Sequence, residues 1–148
     1  MRALLWHVSA FRAEVTERGR SSLVEAPEPK VIETADAILV LAAAERMDEP
    51  DPARIGALAG EAVAAHAMSL GVERIAVLPF AHLFAELATP QAAVDALDTL
   101  VATVRANGLA AERAPFGWFH TLEIRAKGHP LSRVARTWRL DGEKERAG

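Results

Sequence analysis

The rhythm of apolar and polar positions changes several times along the chain, and each rhythm predicts an element. Residues 2–8 and 10–16 are two apolar-rich runs separated by Ser9. The second, Phe11-Arg12-Ala13-Glu14-Val15, alternates with period two, the pattern of a half-buried strand. Together the runs read as a hairpin or as one strand continued through a bend. Gly19, Ser21, Ser22, Pro27 and Pro29 mark residues 17–30 as a loop. Residues 36–44, from Asp36 through Ile38-Leu39-Val40-Leu41 to Ala44, form a continuous apolar run, as a strand buried on both faces requires.

Asp51-Pro52 carries a helix-start signature, a capping carboxylate followed by proline at the first helical position. Ile55, Leu58, Ala59, Ala62, Val63 and His66 follow at helical spacing, and Gly71 closes the helix. Ile75-Ala76-Val77-Leu78 predicts a short central strand ending at Pro79. Thr89-Pro90 opens a second helix by the same device. Val94, Leu97, Val101 and Val104 form its inward stripe, and Asn107-Gly108 ends it. Residues 109–115 and 118–126 read as two strands of a last hairpin, turning at Phe116-Gly117. The segment from Gly128 reads as a basic tail. This order predicts a single α/β domain over residues 1–140, with a mixed β-sheet and two main helices, and a linker or tail over 141–148.

Composition narrows the function. With 148 residues, 51% hydrophobic and 25% charged, the chain can bury one core and is not a disordered one. The absence of cysteine excludes disulfides, thiolate catalysis and cysteine-based zinc sites. A net charge of −3 argues against a protein that coats nucleic acid, so any phosphate contact must be local. One stretch offers that. Between His120 and Arg146 stand Arg125, Lys127, Arg133, Arg136, Arg139, Lys144 and Arg146, seven cations, against Glu123, Asp141, Glu143 and Glu145, four acids. The stretch fits a phosphate-contacting surface or an ordinary ion-paired solvated face. No apolar run approaches the ~20 residues that a bilayer crossing needs. The first residues lack the apolar region and cleavage site of a signal peptide, so the cytoplasm is the expected compartment.

Sites in α/β proteins gather at the carboxyl ends of buried strands. His82 stands at one such end. It reads either as a polar group aimed into a pocket mouth or as a cap near Glu86. His120 reads either as a base or as a plain strand residue. His7 is expected to be structural, His66 to sit on the interior stripe of its helix, and His129 to begin the tail. No two histidines share the close helical spacing of a metal site, so neither metal nor cofactor is expected. Gly56-Ala57-Leu58-Ala59-Gly60 falls inside a helix and not in a phosphate loop, and no Gly-x-Ser-x-Gly elbow occurs. Phe116, Trp118 and Phe119 can stack a base or pack into a core.

Several blocks, in order along nearly the whole chain, carry a resemblance. They are Leu4-Leu5-Trp6-His7, Ala44-Glu45-Arg46-Met47-Asp48-Glu49, Leu78-Pro79-Phe80-Ala81-His82-Leu83 with Glu86-Leu87-Ala88, Ala114-Pro115-Phe116-Gly117, and Lys127-Gly128-His129-Pro130-Leu131. Together they resemble the N-terminal editing domain of archaeal threonyl-tRNA synthetase, whose fold is D-aminoacyl-tRNA deacylase-like. The resemblance implies a proofreading hydrolase that removes serine from mischarged L-seryl-tRNA(Thr) and spares L-threonyl-tRNA(Thr). Editing answers a physical limit, since one missing methyl gives only ~1–3 kcal/mol of discrimination. The implied partners are the 3′ end of tRNA(Thr) carrying serine, the rest of the synthetase in cis or in trans, and a second copy in a homodimer.

The resemblance also implies residue roles. Ala44 falls where the family's main chain meets the substrate amino acid. Pro79, Phe80, Ala81 and His82 form the opposite wall, and His82 matches a family histidine. Phe116, Gly117 and Trp118 match the segment lining the adenosine end of the tRNA. Phe119 and His120 stand where the family often has Tyr and Lys, and Arg133 where it often has Glu. In the family picture the tRNA 2′-OH and backbone groups carry the chemistry, and side chains such as His82 and His120 assist. Two other readings remain, a tRNA-binding or dimerisation module without catalysis and a D-aminoacyl-tRNA deacylase.

Overall fold

In the computed structural model the described residues are 1–83, 86–141 and 146–147. The elements are β1 (Arg2–Arg18), β2 (Val31–Ala43), α1 (Pro52–Ser69), β3 (Arg74–Pro79), α2 (Pro90–Ala106), β4 (Ala110–Arg113), β5 (Trp118–Ala126), β6 (Arg133–Thr137) and β7 (Arg146–Ala147). Short 3-10 turns lie at Arg46–Asp48 and Ala81–Leu83. The strands form one mixed sheet in the order β4-β3-β2-β1-β6-β7, with β5 also on β1. β2, β3 and β4 run parallel and the other pairs antiparallel.

Both helices start as their sequences predict. Asp51 accepts a hydrogen bond from the Arg54 N–H at 3.1 Å, and Thr89 from the Ala92 N–H at 3.4 Å. Each is followed by a proline, whose missing N–H costs nothing at that position. The helices cover one sheet face. Ile55, Ala59 and Val63 of α1 and Leu97, Leu100 and Val104 of α2 pack with Ile38, Val40 and Ala42 of β2. Alternate residues of the same strand, Ala37, Leu39 and Leu41, belong to a second core on the other face. That double burial is why residues 37–44 are apolar throughout. α1 and α2 meet closely at Gly56 and Gly60. A Cβ on Gly56 would overlap the Ala96 carbonyl oxygen, and one on Gly60 would lie 2.6 Å from Thr103 Cβ.

β1 reaches both cores. Ala3 and Leu5 face the helices, while Leu4, Trp6 and Val8 face the second core. Beyond Ser9 the parity reverses, and Phe11 and Ala13 face the second core. β2 reverses too, since Ile32 joins Ala37, Leu39 and Leu41. The reversal falls at Ser9, where the β1–β5 register shifts, and at Asp36, which adopts φ 48°. Asp36 is held there by His7 Nε2 at 2.9 Å and Lys127 Nζ at 2.8 Å. These partners, Lys127 first, hold its carboxyl below the usual range. An ionised carboxylate only accepts, so His7 Nε2 donates; in the neutral ring Nδ1 then accepts from His129 Nε2 at 2.9 Å.

Of the two readings of residues 2–16, the continued strand holds, since they form one long strand through an irregularity. Other sequence expectations change. β2 begins at Val31 rather than 36. β4 and β5 are not hairpin partners. β4 extends the parallel layer beside β3, whereas β5 pairs with the distal half of β1, whose alternating pattern offers it a free edge. The basic segment from Gly128 is not all tail. β6 pairs with Arg2–Trp6, and Trp138 is buried in the main core. His129 does not simply begin a tail, because it joins His7. Much of the expected linker, residues 142–145 and 148, lies outside the described residues.

Gly56→Ala is expected to lower stability by about 1–3 kcal/mol through overpacking of the helix pair. Gly128→Ala, where an added Cβ meets nothing within 4 Å, is expected to stay within about 0.5 kcal/mol. Urea unfolding of the two variants beside the parent measures both.

Candidate functional site

The carboxyl ends of β2 and β3 open into a cavity of about 330 Å³. Its first wall is Ala42–Ala44 with Leu78–His82. The Phe80 N–H donates to the Ala42 carbonyl at 2.9 Å, and the Ala88 N–H to the Ala44 carbonyl at 3.1 Å. Residues 115–120 and 122, with Gly19, Arg20 and Ser21, make the second wall. The N–H of Gly19 donates to the Gly117 carbonyl at 2.7 Å. Ala93 and Leu97 of α2 also contribute to the lining.

The turn after Ala44 is fixed by buried charge. The Met1 ammonium lies 2.7 Å from Asp48 Oδ2 and donates to the Trp138 carbonyl at 3.0 Å. Asp48 Oδ2 also accepts the Glu45 N–H at 2.8 Å, and Glu45 is paired with Arg2 and Arg139. Buried charges with several partners hold one geometry, because removing any partner leaves an uncompensated charge. They lie behind the wall and outside the lining.

Among the described residues the lining contains no Asp, Glu or Lys. Its titratable side chains are Arg20, His82 and His120. Arg20 and His82 are exposed, and the His82 ring meets Phe80 edge-on at 5.4 Å between centroids. His120 is half-buried, and its Nε2 has no hydrogen-bond partner among the described residues. Burial pushes the His120 ring below the usual histidine value, opposed in part by a hydrogen bond with the Trp118 backbone. The ring is therefore neutral at pH 7. Among the described residues no group of three or more His, Asp or Glu converges as a metal-ligating set.

Of the residues named from sequence, Ala44, Pro79, Phe80, Ala81, His82, Phe116, Gly117, Trp118, Phe119 and His120 all line this one cavity. Phe119 is nonetheless 53% exposed. Arg133 does not join them. It is exposed on β6 opposite Trp6, with β1 between it and β2. Sequence reasoning missed Gly19, Arg20, Ser21, Ala93 and Leu97 as lining. Nothing local marks them, since folding alone brings them to the cavity.

An α/β domain with this sheet has a solved counterpart, a probable eukaryotic D-amino acid tRNA deacylase. The match has a TM-score of 0.60 at 12% identity and covers 86% of this chain and 94% of that one. The fold class is thus the deacylase-like one. The family model for the archaea-specific editing domain of threonyl-tRNA synthetase matches residues 1–138. This chain belongs to that family. It is 35% identical over 137 residues to the threonine–tRNA ligase of Methanopyrus kandleri and 37% over 139 residues to that of Methanoregula boonei. Each match covers 93% of this chain and 22% of the relative. The Methanocaldococcus jannaschii ligase is 32% identical across 100% of the chain, which spans 24% of it. The chain therefore corresponds to less than a quarter of these relatives' length.

A histidine whose folded pKa lies below the unfolded value loses stability on acidification, because the unfolded chain takes the proton first. The His120 contribution is fully present above its unfolded value of about 6.5 and declines as pH falls from there to the folded value. The NMR titration midpoint of the His120 ring is expected below 6.5. A midpoint at or above 6.5 would contradict a desolvated ring.

Proposed function

We propose that this domain hydrolyses L-seryl-tRNA(Thr) to serine and free tRNA, and spares L-threonyl-tRNA(Thr). Family membership supports an editing role, and the observation that carries the chemistry is the cavity lining, whose described residues offer no carboxylate and no lysine. In this reading the substrate itself helps. The vicinal 2′-OH of the terminal ribose orients the attacking water, and preorganised backbone N–H groups stabilise the oxyanion that forms on the ester carbonyl. The carbonyl then re-forms, the 3′ oxygen leaves with a proton, and serine is released. Neutral His120 and the exposed His82 assist by hydrogen bonding to substrate or water.

Selectivity in this scheme is steric. The main chain at Ala42–Ala44 and the turn at 79–82 face the amino acid, and backbone cannot yield to an extra methyl as a flexible side chain can. Phe116, Gly117 and Trp118 take the adenosine end. Arg133 stands outside the cavity, so its departure from the family's common Glu does not by itself remove a group from this lining. The domain would work in the cytoplasm, as a homodimer, on the product of a threonyl-tRNA synthetase in cis or in trans.

Deacylation of seryl- and threonyl-tRNA(Thr), side by side in EDTA, tests the reading. Serine is expected to be lost fast and threonine retained. With a 2′-deoxy terminal adenosine the serine ester is expected to persist; cleavage at the normal rate would rule out substrate assistance. Loss of neither natural ester would leave a binding module.

Among the described residues Arg20 is the cationic side chain in the lining. Arg20→Ala is expected to weaken tRNA binding and to reduce the slope of log affinity against log salt by about one. Filter binding at several salt concentrations reads this. An unchanged slope would mean that Arg20 meets no phosphate.

A further inference from the structure

One well-built polar assembly stands behind the cavity, and the reaction above does not use it. Glu25 lies in the loop between β1 and β2, 91 residues from Phe116 along the chain. It grips the second wall at three points. Its N–H donates to the Phe116 carbonyl at 3.1 Å, and its own carbonyl accepts from Trp118 Nε1 at 2.8 Å. Its Oε1 accepts the Phe116 N–H at 2.6 Å. Arg113 holds the same carboxylate, with Nη1 2.7 Å from Oε1 and Nη2 2.9 Å from Oε2. From its Nη2 and Nε, Arg113 also donates to Asp98 Oδ1 of α2, at 2.7 and 3.1 Å. The chain Asp98–Arg113–Glu25 thus joins α2, which lines the cavity through Ala93 and Leu97, to the wall at 116–118.

We propose that Glu25 is a positioning residue for the hydrolysis, setting the width of the cavity by fixing the 116–118 wall against α2. This inference rests on the ester-hydrolysis reading. Glu25 supplies much of this wall's support. Gly117 sits at φ 92°, and residues 114–117 lie between β4 and β5, tied by backbone elsewhere through Ala114 N–H to the Val77 carbonyl at 2.9 Å and Gly19 N–H to the Gly117 carbonyl at 2.7 Å. A bidentate arginine–carboxylate pair with a short N–H···O bond is the stronger class of brace, and it has a fixed direction. Glu25 is not part of the lining, so its effect must pass through Phe116 and Trp118. A displacement of about 1 Å in such a wall can reduce a rate by as much as 10²-fold.

The test compares the parent, Glu25→Gln and Asp98→Asn in two measurements. One is single-turnover deacylation of seryl-tRNA(Thr), with rate and half-saturation resolved. The other is the NMR position of the Phe116 amide and the Trp118 indole N–H. Glu25→Gln keeps the shape but loses the charge and one arginine contact. It is expected to shift both resonances and to lower the rate about tenfold, with half-saturation changed less than about threefold. Asp98→Asn, at the far and more exposed end, is the variant less able to disturb folding. It is expected to shift the same resonances less and to lower the rate about threefold. Shifted resonances with unchanged rates in both variants would overturn the proposal, as would unmoved resonances. Inactivity of the parent itself would instead defeat the hydrolysis reading, and this inference with it.

Discussion

Asp36 holds a left-handed backbone conformation in the middle of a long strand pair, and two basic partners keep it there. Much of the molecule depends on that point. A strand that alternates without interruption can serve only one core with each set of residues. β1 and β2 reverse their alternation together at Ser9 and Asp36, so the near half of the ribbon divides its side chains between two cores and the far half serves the second. A β-branched or bulky residue at φ 48° would be strained; aspartate tolerates it and can be fixed by hydrogen bonds. His7 and Lys127 supply them, and His129 supports His7 from behind. The reversed ribbon carries β5, and β5 carries Trp118, His120 and Leu122 into the cavity wall.

The cavity built this way separates charge from chemistry. Ion-paired groups fix both walls from outside: Met1, Glu45 and Asp48 behind the turn after Ala44, and Glu25, Arg113 and Asp98 behind the turn at 116–118. Among the described residues, the inner surface is left to backbone, apolar and aromatic side chains, Ser21, two histidines and one arginine. Under the proposed function such a surface suits a site that measures one methyl group, because its shape is held by groups outside the lining. It also suits catalysis in which the substrate's own hydroxyl takes part.

Much of this was legible in the chain. Asp51-Pro52 and Thr89-Pro90 announce their helices because a cap and its N–H lie three residues apart. The unbroken apolar run at 36–44 announces a strand buried on both faces. The blocks around Ala44, Pro79–His82 and Phe116–Gly117 stood out in the chain, each near the end of a predicted strand, and they line one cavity. Other features were hidden. The alternation Arg133-Val134-Ala135-Arg136 reads as a basic tail until β1 is present to pair with it. The strand at 118–126 looks like the partner of the one before it until the free edge of β1 is counted.

The sequence by itself therefore determined the elements that depend on neighbours within about one helical turn: the capped helices, the buried strands, the turn glycines and the family. Tertiary structure alone decided which strand edge β5 and β6 take, that His129 meets His7, that Arg133 stays outside the cavity, and that Glu25 braces its wall. Those outcomes rest on pairings between residues as far apart as 91 and 122 positions. A local pattern sets a residue's conformation and which side it faces. Only the closed fold, with both cores filled at once, determines what it faces.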